Sequence, residues 1–213
     1  MIKLYDYIRS SASMRVRIAL SLKKISYETI PIHLLNNGGE QFSDQYKKIN
    51  PQQLVPTLID DEHTITQSLA IVEYLNDTYP TPPLLPASAH EKALVRSFAL
   101  SIVADIHPLN NLRVLQYLKN ELNISDEQKN KWYQHWMEKG LSALENRLTT
   151  QSKPSNFCFG DTPTIADICL IPQLFNAKRF NCDLSHYKRL QSIDTHCLKL
   201  DAFINALPKE PVT

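Results

Sequence analysis

The sequence predicts a chain in two parts, an α/β half followed by an all-α half. Three observations carry that reading. Up to about residue 80, short runs of β-formers alternate with helical patterns. Then Tyr79-Pro80-Thr81-Pro82-Pro83-Leu84-Leu85-Pro86 places four prolines in seven residues, which ends a helix and forms a stiff connector. Beyond it, β-type alternation is scarce and helical spacing dominates. The expected boundaries are therefore 1–80 for the first domain, 81–86 for the linker and 87–213 for the second. With 213 residues, 43% of them hydrophobic and 21% charged, the chain can bury one large core or two small ones.

Composition excludes several classes. Lys+Arg 23 against Asp+Glu 22 leaves a net charge of +1, so neither nucleic acid nor an anionic membrane is an expected partner. No apolar run approaches the roughly 20 residues that span a bilayer. Lys3, Asp6 and Arg9 interrupt the N-terminus before a secretory apolar region could form. Cys158, Cys169, Cys182 and Cys197 lie 11, 13 and 15 residues apart with no Cys-x-x-Cys pair. A structural zinc or a compact disulfide framework is not expected from that spacing, and free thiols in a cytoplasmic protein are.

In order along the chain, Ile2-Lys3-Leu4-Tyr5-Asp6-Tyr7 reads as a strand that leads into the stretch Arg9 to Leu20, out of which a helix-like run leads. Tyr27-Glu28-Thr29-Ile30-Pro31-Ile32 is the next strand. Strand–helix–strand implies a parallel pair, and Pro31, which has no N–H, puts this strand at an edge. Asn36-Asn37-Gly38-Gly39 marks a loop. Leu54 to Ile59 reads as a third strand, Asp60-Asp61-Glu62 as its turn, and His63 to Thr66 as an antiparallel return. Gln67-Ser68 opens a helix with Leu69, Ile71, Val72 and Leu75 on its apolar side, Ser68 being placed to cap it. The order βαβ–ββα is the thioredoxin-like arrangement.

In the second half, Glu91 to Asp105 shows Leu94, Val95, Phe98 and Ile102 at helical spacing. Asn110 to Leu122 follows a break at Pro108. Ser125-x-x-Gln128 is a capping box ahead of a long helix ending near Leu148, and Thr164-x-x-Asp167 repeats the device.

The junction Arg9-Ser10-Ser11-Ala12-Ser13 carries the chemistry. Serine hydroxyls cap a helix by accepting from its free N–H groups. The same place suits a thiolate, because the free N–H groups and the helix dipole favour an anion and a serine O–H can donate to sulfur. On the stretch alone, both readings stand.

Ser10-Ser11-x-x-x-Arg15-Val16-Arg17-Ile18-Ala19-Leu20, Asn50-Pro51-x-x-x-Val55-Pro56-Thr57-Leu58 and Gln67-Ser68-x-Ala70-Ile71-x-Glu73-Tyr74-Leu75 resemble the zeta class of glutathione transferases. The resemblance covers the whole chain. It implies the glutathione transferase fold, a thioredoxin-like domain plus an all-α domain, in a homodimer. It also implies a cis bond at Val55-Pro56 and glutathione as cofactor. Val55 and Pro56 would pair with the cysteinyl main chain, Gln67 and Ser68 would receive the γ-glutamyl carboxylate, Gln41 would lie near the glycine end, and Arg15 would be a further glutathione-binding residue. Ser10 matches the thiolate-stabilising serine, with Ser11 beside it. His107, Asn111 and Arg113 match positions near glutathione, and Arg179, in Ala177-Lys178-Arg179-Phe180, matches an arginine that faces the substrate.

One departure stands out. Ala12 occupies a position that is often cysteine in the class, so the burden falls on a hydroxyl. Lowering a free thiol pKa near 8.5 by about two units needs about 2.7 kcal/mol, the size of one hydrogen bond to an anion plus a helix terminus.

The implied reaction is cis–trans isomerisation of an enedioyl dicarboxylate. Glutathione thiolate would add to the conjugated C=C, the resulting single bond would rotate, and the alkene would re-form as the thiolate leaves. Arg9 and Arg179 are the expected binders of carboxylate and enolate charge, since the arginine fork binds carboxylates two-pronged. The same residues also admit an isomerase for a smaller acid, a general zeta-type transferase or dehalogenase, or a non-catalytic glutathione-binding protein.

Overall fold

The computed structural model describes residues 1–151 and 155–208. By their contacts they form two units, Met1–Pro83 together with the segment from Leu200, and Leu84–Lys199.

The first unit holds β1 (Lys3–Asp6), α1 (Ser11–Leu22), β2 (Glu28–Pro31), α2 (Asp44–Ile49), β3 (Thr57–Asp60), β4 (His63–Thr66) and α3 (Ser68–Thr78). Its sheet runs β2-β1-β3-β4. β1 and β2 are parallel, and the other two pairs are antiparallel. Pro31 thus sits on an edge strand, where its missing N–H costs the ladder nothing. β3 starts at Thr57 rather than Leu54, because Pro56 has no N–H to give a ladder. The hairpin turn is also tighter than the sequence suggests: Asp60 still pairs with His63, leaving Asp61-Glu62 as the tip.

α1 is buried from Ser13 to Leu20. With Ile71, Val72 and Leu75 of α3 and with Leu4 and Leu58 of the sheet, it forms the unit's core. Arg17 lies inside this packing. Its Nη1 reaches both carboxylate oxygens of Asp6 at 2.6 and 2.8 Å, and its Nη2 donates to the Ala206 carbonyl at 2.8 Å. That bond ties α10 (Asp201–Ile204) and its flank to α1, so residues 200–208 belong to the α/β unit. Removing one partner of such a buried pair costs about 3–5 kcal/mol. A second, smaller core gathers Tyr7, Tyr46 and Val55, with Tyr5, Ile32, Leu34 and Ile49 packed on it.

The second unit holds α4 (Ala89–Leu100), α5 (His107–Leu109), α6 (Leu112–Asn120), α7 (Asp126–Thr149), α8 (Ile165–Arg179) and α9 (Lys188–Cys197). α4 runs into α5 through a π-helical segment, Ser101–Ile106. Pro108 therefore does not break the helix as its sequence position suggests. The wider π turn ahead of it makes room for the ring, and the helix stops at Asn110. Val95, Phe98 and Ile102 are buried, but Leu94 is 38% exposed and lies off the apolar side. A Cβ on Gly140 would lie 2.2 Å from Ile106 Cγ1 and Cδ1. α7 thus packs closely on the π segment, and a side chain at position 140 would force the Ile106 side chain to move.

Both capping boxes form. Ser125 and Gln128 exchange bonds at the start of α7, and Thr164 and Asp167 do so at the start of α8. Asp167 is fully buried and accepts from Cys158 N–H at 2.7 Å, Thr164 N–H at 2.8 Å and Thr164 Oγ at 2.9 Å. Among the described residues, no helix is long and apolar enough to cross a membrane.

Candidate active site

In the first unit, the loop after β1 delivers half-buried Arg9 and then Ser10 to the start of α1. Ser10 is the N-cap, with extended backbone, and its Oγ accepts from Ser13 N–H at 3.2 Å. That bond uses a lone pair and leaves the hydroxyl proton able to donate. Ser11 is 2% exposed and opens the helix. Met14 is fully buried behind it.

One turn further on, Arg15 is 1% exposed, and its Nη1 donates to Ser68 Oγ at 3.1 Å across 53 residues of sequence. This corrects the expectation for Ser68. It is the first residue of α3, and Gln67 holds the cap position without a side-chain bond to the helix. The Ser68 hydroxyl faces Arg15 because the close contact between α1 and α3 brings a cation to it. Gln67 has φ 69 and ψ 114, a backbone state that costs a non-glycine residue about 1–3 kcal/mol and collects at functional sites. Its side-chain Nε2 donates to Gln52 Oε1 at 2.8 Å.

The Val55-Pro56 bond is cis. Val55 is 9% exposed, and its main chain makes no hydrogen bond to another described residue. Gln41 is 5% exposed. Its Nε2 makes only a long 3.4 Å bond to the Leu34 carbonyl, and its Oε1 is buried with no partner. A buried acceptor left unpaired costs about 1–3 kcal/mol, so this position suits a ligand that brings a donor. The loop that carries Gln41 is closed by His33. Its ring Nδ1 accepts from Leu35 and Asn36 N–H at 3.2 and 2.9 Å, and its main-chain N–H donates to Glu40 Oε2 at 2.6 Å. These features fit a short peptide lying along the start of α1, Val55 and the start of α3.

In the second unit, His107, Asn111 and Arg113 stand together at the junction of α5 and α6. Asn111 caps α6, its Oδ1 accepting from Arg113 N–H at 3.1 Å, while its Nδ2 lies 3.2 Å from His107 Nε2. The Arg113 side chain is exposed. Arg179 ends α8, exposed, with its guanidinium 5.5 Å from the centre of the Phe180 ring.

Sequence reasoning missed Tyr46, Gln52, Thr57 and His33, all of which bond to the loops that carry these groups. The Asn50-Pro51 pair was the available signal for the first three, since Asn50 bonds within that cluster.

Comparison with known proteins gives the chain its family. The glutathione S-transferase N-terminal domain family matches residues 1–77, and the C-terminal domain family matches residues 130–191. The chain belongs to the glutathione S-transferase family. It is 48% identical over 206 residues to a probable maleylacetoacetate isomerase of Vibrio cholerae, covering 97% of this chain and 95% of that one. Among solved structures it is similar to the holo form of maleyl pyruvate isomerase, described as a bacterial glutathione S-transferase in the zeta class. The identity is 42%, the TM-score 0.94, and 99% of each chain is covered. It is also similar to a maleylacetoacetate isomerase from Methylobacterium extorquens AM1 with bound malonate and glutathione, at 37% identity and TM-score 0.93 over 98% of each chain. The zeta class is therefore the part of the family in which this chain falls.

Proposed function

We propose that the chain is a glutathione-dependent cis–trans isomerase whose substrate is maleylacetoacetate. The observation that carries the reading is the full-length likeness to such isomerases, held by a chain whose helix start offers serine hydroxyls where a cysteine is absent. Bound glutathione would supply a thiolate that adds reversibly to the conjugated double bond, letting it rotate and re-form trans.

The chain's own residues have three tasks. Ser10 donates its hydroxyl proton to sulfur while the start of α1 supplies positive potential, and Ser11 supports it. The Val55-Pro56 main chain, Gln67, Ser68 and Gln41 align the tripeptide, with Arg15 acting through Ser68. His107, Asn111 and Arg113 are further glutathione contacts. Arg9 and Arg179 take the substrate carboxylates and the charge that develops on the carbonyl oxygen. The protein works as a cytoplasmic homodimer.

A second reading has its own support in the likeness to maleyl pyruvate isomerase. The test is the loss of cis-enedioyl absorbance with maleylacetoacetate and with maleylpyruvate, each with and without glutathione. Glutathione-dependent turnover, faster with maleylacetoacetate, is expected. Faster turnover of maleylpyruvate would move the assignment to the smaller acid. Turnover of neither, with glutathione still bound, would leave a conjugating, dehalogenating or purely binding protein.

A further inference from the structure

Beneath the Val55-Pro56 segment lies a closed set of buried polar side chains that the reaction scheme leaves unused. Tyr46 is 2% exposed, Asn50 1% and Thr57 0%. Tyr46 Oη donates to the Leu54 carbonyl at 2.6 Å. Asn50 Nδ2 donates to the same carbonyl at 2.8 Å and to Thr57 Oγ1 at 3.1 Å. Thr57 Oγ1 lies 2.9 Å from Tyr46 Oη. Because the tyrosine proton goes to the carbonyl, the threonine proton goes to the tyrosine oxygen, and every donor in the ring is used. Burial holds the Tyr46 hydroxyl above its ordinary ionisation range, so it stays a donor.

The peptide plane converts this into a statement about the ligand side. The Leu54 C=O and the Val55 N–H belong to one planar unit and point in opposite directions. Two bonds drawn onto the carbonyl from the buried side therefore aim the Val55 N–H away from the cluster, towards whatever pairs with Val55. The network also continues sideways. Asn50 Oδ1 accepts from Gln52 N–H at 3.0 Å, and Gln52 Oε1 accepts from Gln67 Nε2 at 2.8 Å. One asparagine thus connects the loop at Val55 to the residue at the start of α3.

We infer that Tyr46, Asn50 and Thr57 are positioning residues for glutathione. They fix the direction of the Val55 main-chain donor and, through Gln52, the place of Gln67. The inference rests on the glutathione-binding reading above and adds residues that touch no ligand. Asn50 is the hinge of the set, since it alone serves both the Leu54 carbonyl and Gln52.

Thr57→Val and Thr57→Ser separate positioning from stability in the full-length protein. Valine keeps the shape and loses the hydroxyl, whereas serine keeps the hydroxyl and loses a buried methyl. Calorimetric Kd for glutathione, melting temperature, and KM for glutathione against kcat are measured for both, with Tyr46→Phe and Asn50→Ala alongside. Leu141→Ala, in the core of α7, is the stability control.

Thr57→Ser and Leu141→Ala are expected to melt lower with wild-type Kd. Thr57→Val and Tyr46→Phe, which each remove two bonds of the ring, should bind glutathione about three-fold more weakly and Asn50→Ala, which removes three, about ten-fold, with kcat at saturating glutathione within about two-fold. If Kd instead follows melting temperature through the series, or stays at the wild-type value in all of them, the positioning role is overturned. Wild-type protein that fails to bind glutathione would overturn the underlying reading instead.

Discussion

Ser10 has one hydroxyl and two uses for it. Its oxygen already accepts from Ser13 N–H at 3.2 Å, which caps α1, and on the proposed reading its proton goes to the glutathione sulfur. Ser10→Ala should therefore cost about 1 kcal/mol of helix capping and also the bond to the thiolate. A bond to an anion of about 1.5–3 kcal/mol corresponds to about one to two pKa units, so the bound thiol should ionise at higher pH. With the bound thiol moved from about 6.5 to about 7.5–8.5, the thiolate fraction and the rate at pH 7 fall about 3–25-fold and recover as the pH is raised. A pH–rate profile checks this, and an equal loss at every pH would contradict it.

Protein thiols are expected to play no part. Cys158, Cys169 and Cys197 are buried, and burial pushes the half-buried Cys182 up to about 11. At pH 7 about one Cys182 in ten thousand is then a thiolate. Protein treated with iodoacetamide and freed of reagent before glutathione is added should keep its activity. Inactivation matched to alkylation of one cysteine would overturn that.

The Ser10 cap was legible because its partner lies three residues away. The setting of Ser68 was not, because its hydroxyl meets an arginine 53 residues distant. Tyr46 lies in a stretch with no element signal and Thr57 in a strand like any other threonine, and only the folded loop brings them to the Leu54 carbonyl.

Among the elements, those with local signals came through. The two capping boxes, the edge position of β2 and the antiparallel return of β4 each follow from residues within a few positions of one another. The π segment has no such signal. The close approach of α7 to it falls at Gly140, which lies 34 residues after Ile106.

Asp167 gives the element scale its test. Burial pushes its carboxyl pKa up, and three donors from Cys158 and Thr164 pull it back. Asp167→Ala strands those donors inside the protein, so unfolding free energy should fall by about 3 kcal/mol. Asp167→Asn, whose amide oxygen still accepts, should lose less. Denaturant unfolding of both variants measures this. A loss below about 1 kcal/mol for Asp167→Ala would show that the box is dispensable.

For the whole molecule, although α2, α9 and α10 drew no reading from the sequence, the division into an α/β and an all-α half and the βαβ–ββα order of the first were readable from periodicity and from the proline-dense stretch. The placement of the segment 200–208 was not. It packs with the α/β unit because Arg17 bonds the Ala206 carbonyl across 189 residues, a pairing with no trace in local pattern. The function joins both scales, since a serine-rich helix start gains its meaning from the fold around it and from relatives that share nearly the full length. The most direct measurement is of free thiol, taken while a large excess of the cis-enedioyl acid is converted. A constant glutathione concentration over many turnovers, with trans product forming only when glutathione is present, is the expected result. Thiol consumed in step with substrate would show that the chain conjugates glutathione, and isomerisation would then not be its reaction.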